Sequence, residues 1–203
     1  LNIPIELVKE LRAETGAGVL QCREALEVND GDLEKATIYL REKGLVAAAK
    51  KAGREASEGI VEAYGHPGGR VGVLVEVNCE TDFVARTDKY QEFVHDMALQ
   101  VAAMQPLYVT PEDVPAEVLE SKKEFYRQQA LQEGKPEHIV ERIVEGRLNK
   151  FYQEACLLEQ PFVKDDDILI KELVTRMIAD LQENIIIRRF ERYELGQYED
   201  QGA

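Results

Sequence analysis

The sequence predicts an α+β protein: an N-terminal bundle of three helices, then a helix-rich core with a small three-stranded antiparallel sheet and a helical hairpin. Apolar residues recur at spacings of three and four along most of the chain, the period of an amphipathic helix. The period drops to two only between Gly59 and Cys79 and from Ile185 to Leu195, too few strands for a doubly wound or barrel fold. Glycine and proline breaks part the helical runs at short intervals.

Pro4 suits a first helical turn, and Ile5, Val8 and Leu11 form one apolar face until Thr15-Gly16-Ala17-Gly18 stops the helix. A second helix runs from about Val19, with Leu20, Ala25 and Leu26 apolar, to Asn29-Asp30-Gly31. Asp32 caps a third, whose Leu33, Ala36, Thr37 and Leu40 face inward, and Gly44 is expected to end it. Three short amphipathic helices with tight turns resemble the ubiquitin-associated type of domain. Leu45 to Arg54, rich in alanine and lysine, reads as a partly helical, stiff connector. Residues 1–53 are assigned to this UBA-like domain and connector, and residues 54–203 to the α+β core.

In the core, Ile60 to Tyr64 and Arg70 to Cys79 are strands joined by the hairpin loop Gly65 to Gly69. Val71, Val73, Val75 and Val77 share one face, which is expected to be buried against helices, while Gly72, Leu74 and Glu76 lie on the other. Tyr90, Val94, Met97, Val101 and Met104 then mark a helix from about Asp88 to Met104, closed by Pro106. Thr110-Pro111-Glu112-Asp113 is expected to cap a helix through about Glu133. Gly134-Lys135-Pro136 breaks it, and Ile139, Ile143, Val144, Leu148 and Phe151 form the stripe of the next helix, to about Tyr152. So short a turn makes residues 114–152 an antiparallel helical hairpin. Gln160 to Val163 reads as an extended linker, and Asp165-Asp166-Asp167 as the start of a helix carrying Leu169, Leu173, Met177 and Leu181. Ile185 to Leu195 supplies the last strand.

Composition excludes several functions. A chain of 203 residues with 32% charged and 44% hydrophobic residues can bury a real core. Its net charge of -14 opposes direct nucleic-acid binding and attraction to anionic membranes, and no apolar run approaches the roughly 20 residues of a membrane span. Three dispersed cysteines without a Cys-x-x-Cys, and three scattered histidines, offer no zinc spacing and read as reduced thiols of a cytoplasmic protein or a mature organellar one. Thr15 to Gly18 lacks the Lys and Ser or Thr of a phosphate loop, and Asp165 to Asp167 lacks the alternate spacing of a calcium loop. Cys79 beside Glu80 could act as a nucleophile only with a base, and nothing places His66 or His95 near it. No catalytic residue, metal or cofactor is expected.

Thr81-Asp82-Phe83-Val84 follows the Val-alternating strand. By pattern alone this turn admits two readings: Phe83 packed on the core with Thr81 or Asp82 capping, or Phe83 held outward. The run from Glu76 to Arg86 closely resembles the signature of the elongation factor Ts family. Ordered stretches elsewhere carry the same resemblance: Leu7 to Arg12, Thr15 to Gly18, Cys22 to Leu26, the Ala/Lys connector, Gly134-Lys135-Pro136, Val144 to Arg147 and Gln160 to Val163. Val19-Leu20-Gln21 stands where the family often has two methionines and an aspartate. Longer members carry two related core subdomains; this chain fits one, so the resemblance implies a short form and a homodimer.

The resemblance further implies a guanine nucleotide exchange factor, not an enzyme, that binds GDP-bound elongation factor Tu in translation elongation. The first bundle would grip the GTPase through Arg12, Val19, Leu20 and Arg23. Thr81, Asp82, Phe83 and Val84 would meet its switch region, Phe83 as a wedge that disturbs the magnesium site and Asp82 as a hydrogen-bonding support. The alternative reading is a passive adaptor that binds a partner through the bundle alone.

Overall fold

The three longest strands pair in the order β1-β2-β5, an antiparallel sheet built from Glu58–Gly65 (β1), Val71–Cys79 (β2) and Ile186–Glu194 (β5). The structure, a computed structural model, describes residues 3–197. Its helices are α1 (Ile5–Thr15), α2 (Val19–Val28), α3 (Leu33–Lys51), α4 (Asp82–Ala85), α5 (Asp88–Met104), α6 (Ala116–Gln132), α7 (Glu137–Ala155) and α8 (Ile170–Leu181). A second, two-stranded sheet pairs Pro161–Phe162 (β3) with Asp165–Leu169 (β4). The α+β prediction therefore stands: N-terminal helices, a three-stranded antiparallel sheet and a helical hairpin.

Period-two burial holds on β2, where Val73, Val75 and Val77 are buried and Leu74 between them is exposed. Tyr90, Val94, Met97 and Val101 of α5 are fully buried at the helical period; Met104, expected on that stripe, is partly exposed at the helix end.

The chain divides into two compact units. The first holds the chain up to Ile60, with Val77–Gln91 and Glu172–Ile186. Ile3, Val8, Leu11, Cys22, Ala25, Leu26 and Ala36 form the core of its three N-terminal helices. Pro4 is the N-cap of α1 rather than a residue of its first turn, and Ile5 faces outward. Gly16, at φ 69, takes the left-handed conformation that closes α1, and its N–H bonds to Arg12 O. Asp32 caps α3 as expected, its carboxylate accepting the Lys35 N–H at 3.0 Å; that bond holds the carboxyl below its usual range.

Gly44 does not end α3, which continues through the stretch expected to be a connector to Lys51. Two packed helices explain the correction. A Cβ at buried Gly44 would stand 3.5 Å from Thr175 Cγ2 and 4.0 Å from Ala179 Cβ, ordinary contact distances, so α3 packs on α8 here with room for a methyl group and its helix is held past the glycine. Arg41 to Glu172 at 3.2 Å ties the same two helices, and Lys51 Nζ donates to Gln182 Oε1 at 3.1 Å just beyond the end of α8.

The second unit holds Val61–Glu76, Glu92–Lys171 and the chain from Ile187. Here α6 and α7 pack as the predicted hairpin around Ala130, Val140, Val144 and Leu148, with Val114, Phe151, Ala155 and Cys156 at its base. Val140 replaces Ile139 in the expected stripe. The Arg127 guanidinium forks onto Glu141 at 2.9 and 3.2 Å across the two helices. Thr110 to Asp113 is a capped 3-10 turn; Pro115 intervenes, so α6 starts at Ala116, later than expected. Asp165, Asp166 and Asp167 do not open a helix. They lie in β4, because Pro161 and Phe162 pair with Leu169 and Asp165, and α8 begins only at Ile170.

Candidate partner-binding site

The stretch after β2 is a single helical turn, α4, rather than an irregular turn. Thr81 is its N-cap, in extended conformation (φ -132, ψ 152), with its hydroxyl oxygen accepting the Val84 N–H at 3.4 Å. Successive helical residues are turned by about 100°, so residues two apart point to nearly opposite sides. Ala85 is buried, and Phe83 accordingly projects outward with 79% of its surface exposed. Of the two readings the sequence left open, the outward one describes this ring. A benzyl group left in water forgoes about 2 kcal/mol of burial stabilisation.

Asp82 accepts a hydrogen bond from Arg86, Nη2 to Oδ2 at 2.7 Å, between the first residue of α4 and its C-cap and largely in solvent. Most of the bracing comes from residues that sequence reasoning missed. The Glu183 carboxylate accepts the Glu80 and Thr81 N–H groups at 3.0 and 3.1 Å and the Thr81 hydroxyl at 2.6 Å. Glu80 Oε1 accepts the Asn184 N–H at 2.6 Å. The Tyr90 hydroxyl donates to Val77 O at 2.8 Å, and the Cys79 thiol to Thr81 O at 3.2 Å. Glu183 stands 102 residues from Thr81, and no local spacing signals the pair.

Burial raises the Cys79 thiol above its ordinary value and pushes the Tyr90 hydroxyl far above its own. A buried thiol kept protonated is a poor nucleophile. His66 Nδ1 is engaged with Tyr64 OH at 3.0 Å and His95 Nδ1 with Glu62 at 3.1 Å. Asp165, Asp166 and Asp167 bring carboxylate oxygens within 4.8 Å of one another, all exposed, a common surface arrangement that does not by itself make a metal site. Among the described residues no helix is long and apolar enough to cross a membrane.

The other predicted group lies on the N-terminal helices. Cys22, Ala25 and Leu26 turn α2 inward, which leaves Val19 and Leu20 in its first turn 53% and 82% exposed. Arg23 shares their side at helical spacing and pairs with Glu27 at 2.9 Å. Arg12 is exposed in the last turn of α1.

A braced, outward aromatic and a second exposed apolar group are surfaces open to contact with another macromolecule. Residues 20–197 match the family model described as Elongation factor TS. The chain is 61% identical over 195 residues to elongation factor Ts of Carboxydothermus hydrogenoformans, covering 96% of this chain and 90% of that one. To the factor of Caldanaerobacter subterraneus it is 60% identical, covering 96% and 98%; to that of Coprothermobacter proteolyticus it is 58% identical, covering 97% and 100%. The chain belongs to the elongation factor Ts family, the nucleotide exchange factors for elongation factor Tu in translation elongation, and is not an enzyme. The chain spans nearly the whole length of these two relatives.

Proposed function

We propose that this chain, in the cytoplasm, binds elongation factor Tu carrying GDP and speeds GDP release by disturbing the magnesium site, with Phe83 as the wedge. The single observation that carries this reading is the 79% exposure of a phenyl ring on a turn braced from behind. Thr81 and Val84 set the angle of the ring, and Asp82 with Arg86 stiffens the turn. Magnesium is among the largest local charges in a phosphate pocket, so displacing it loosens the phosphates without any bond being broken. Residues 1–53 act as the grip, with Val19 and Leu20 the apolar contact and Arg12 and Arg23 the cations.

Linkage constrains the cycle. A factor that weakens nucleotide binding has its own binding weakened equally by nucleotide, so it accelerates approach to the GDP/GTP equilibrium without shifting it.

The test is fluorescent GDP release from purified elongation factor Tu. Phe83→Ala should slow stimulated release by about 100-fold, equivalent to about 2.7 kcal/mol of barrier, with a smaller loss of binding. Unchanged release would remove the wedge. Full binding and full exchange after Val19 and Leu20 are both changed to Asp would remove the grip.

We further propose that two copies pair through the side of the sheet opposite the buried valines, where Val61, Leu74 and Tyr193 are exposed. Sedimentation should give a dimer that Tyr193→Asp dissociates; a monomeric parent protein would refute the pairing.

A further inference from the structure

Thr81 is held by every polar group it has. Its N–H and hydroxyl donate to Glu183, its hydroxyl oxygen accepts from the Val84 N–H, and its carbonyl accepts from the Cys79 thiol. Glu183 lies between α8 and β5, and the adjacent residue returns the bond: the Asn184 N–H donates to the Glu80 carboxylate, which the Arg54 guanidinium approaches to 3.5 Å. The two segments thus exchange carboxylates for each other's backbone N–H groups. Hydrogen bonds to an ionised carboxylate are about twice as strong as neutral ones. A four-residue helix has no cooperativity of its own, and α4 buries only Ala85. Its direction is therefore imposed from outside.

We propose that Glu183 is a positioning residue for nucleotide exchange: it fixes the angle at which α4 presents Phe83. This deepens the wedge reading and rests on it. Glu183 need touch neither nucleotide nor partner; its effect passes through Thr81 to the ring.

The experiment is a double-mutant cycle on stimulated GDP release, with the factor titrated so that maximal rate and half-saturating concentration separate. Glu183→Ala should lower the maximal rate about tenfold and leave the half-saturating concentration within about threefold, as expected for lost orientation rather than lost contact. Glu183→Gln keeps one oxygen for the two N–H groups, and its amide can donate to the Thr81 hydroxyl; it should restore the rate to within about threefold. In a Phe83→Ala background, Glu183→Ala should cost less than about twofold more. Thr81→Val, which leaves Glu183 in place, serves if Glu183→Ala does not fold, and should also lose its effect in the Phe83→Ala background.

Effects of Glu183→Ala and Phe83→Ala that multiply in full would overturn the positioning role and leave the wedge standing. So would a Glu183→Ala protein with wild-type release. Wild-type release by Phe83→Ala alone would remove both.

Discussion

The Tyr90 hydroxyl donates to the backbone carbonyl of Val77 at 2.8 Å, with the ring fully buried. This bond ties the last buried valine of β2 to the start of α5, and α4 hangs between them. Tyr90→Phe keeps the packing and deletes the donor. The protein should lose about 1–2 kcal/mol, the cost of a buried polar group left without its partner. Urea unfolding measures it, and an unchanged midpoint would show that the bond contributes nothing net.

Gly44 makes the opposite prediction. It sits inside α3 with room for a methyl group at ordinary contact distance from Thr175 and Ala179. Alanine has a helix propensity about 1 kcal/mol better than glycine. Gly44→Ala should raise stability by about 0.5–1 kcal/mol in thermal or urea unfolding, whereas Gly44→Leu should lower it by driving α3 off α8.

Gly59 tolerates no such change. Its φ is 140, and a Cβ there would fall 2.1 Å from Val77 O and 2.8 Å from Asn78 Cα. Backbone lies in the way, so relief requires β1 to leave β2. Gly59→Ala should cost about 3 kcal/mol or more, read as a lowered unfolding midpoint or loss of folded protein on expression.

Alkaline pH should destabilise the fold. Burial, followed by the carboxylates of Glu159, Asp113 and Glu112, pushes the Cys156 thiol up to about 11 from 9.0, and burial also raises Cys22 and Cys79. The unfolded chain therefore releases these protons at lower pH than the folded one. Their contribution is complete below about pH 9 and is lost progressively as pH rises towards about 11. The urea midpoint should hold steady between about pH 7 and 8 and fall above about pH 9. Cys156→Ser should flatten part of that fall; an identical slope would place the titration elsewhere.

Most elements were legible because their signals are local. The valine alternation of β2, the helical stripe of α5 and the break at Gly134 each depend on a few neighbouring residues. The misreadings arose where a distant element overrode local preference. Gly44 has the look of a helix stop, yet α8 packs on it and α3 runs on. Asp165 to Asp167 have the look of a helix start, yet pairing with Pro161 and Phe162 makes them strand. At the site, Thr81, Asp82, Phe83 and Val84 were singled out from their own residues and their resemblance, and Phe83 is exposed as the outward reading requires. Glu183 was not, since a carboxylate distant in sequence carries no mark of where it will fold.

By itself the sequence determined the long helices, the three main strands, the family and the residues of the turn after β2, because periodicity, capping and motif are written in neighbours along the chain. Only the tertiary structure decided which way Phe83 points and what holds it there. A single helical turn has too few internal hydrogen bonds to orient itself, so its direction comes from contacts that exist only after folding: Glu183 on Thr81, and Tyr90 on Val77.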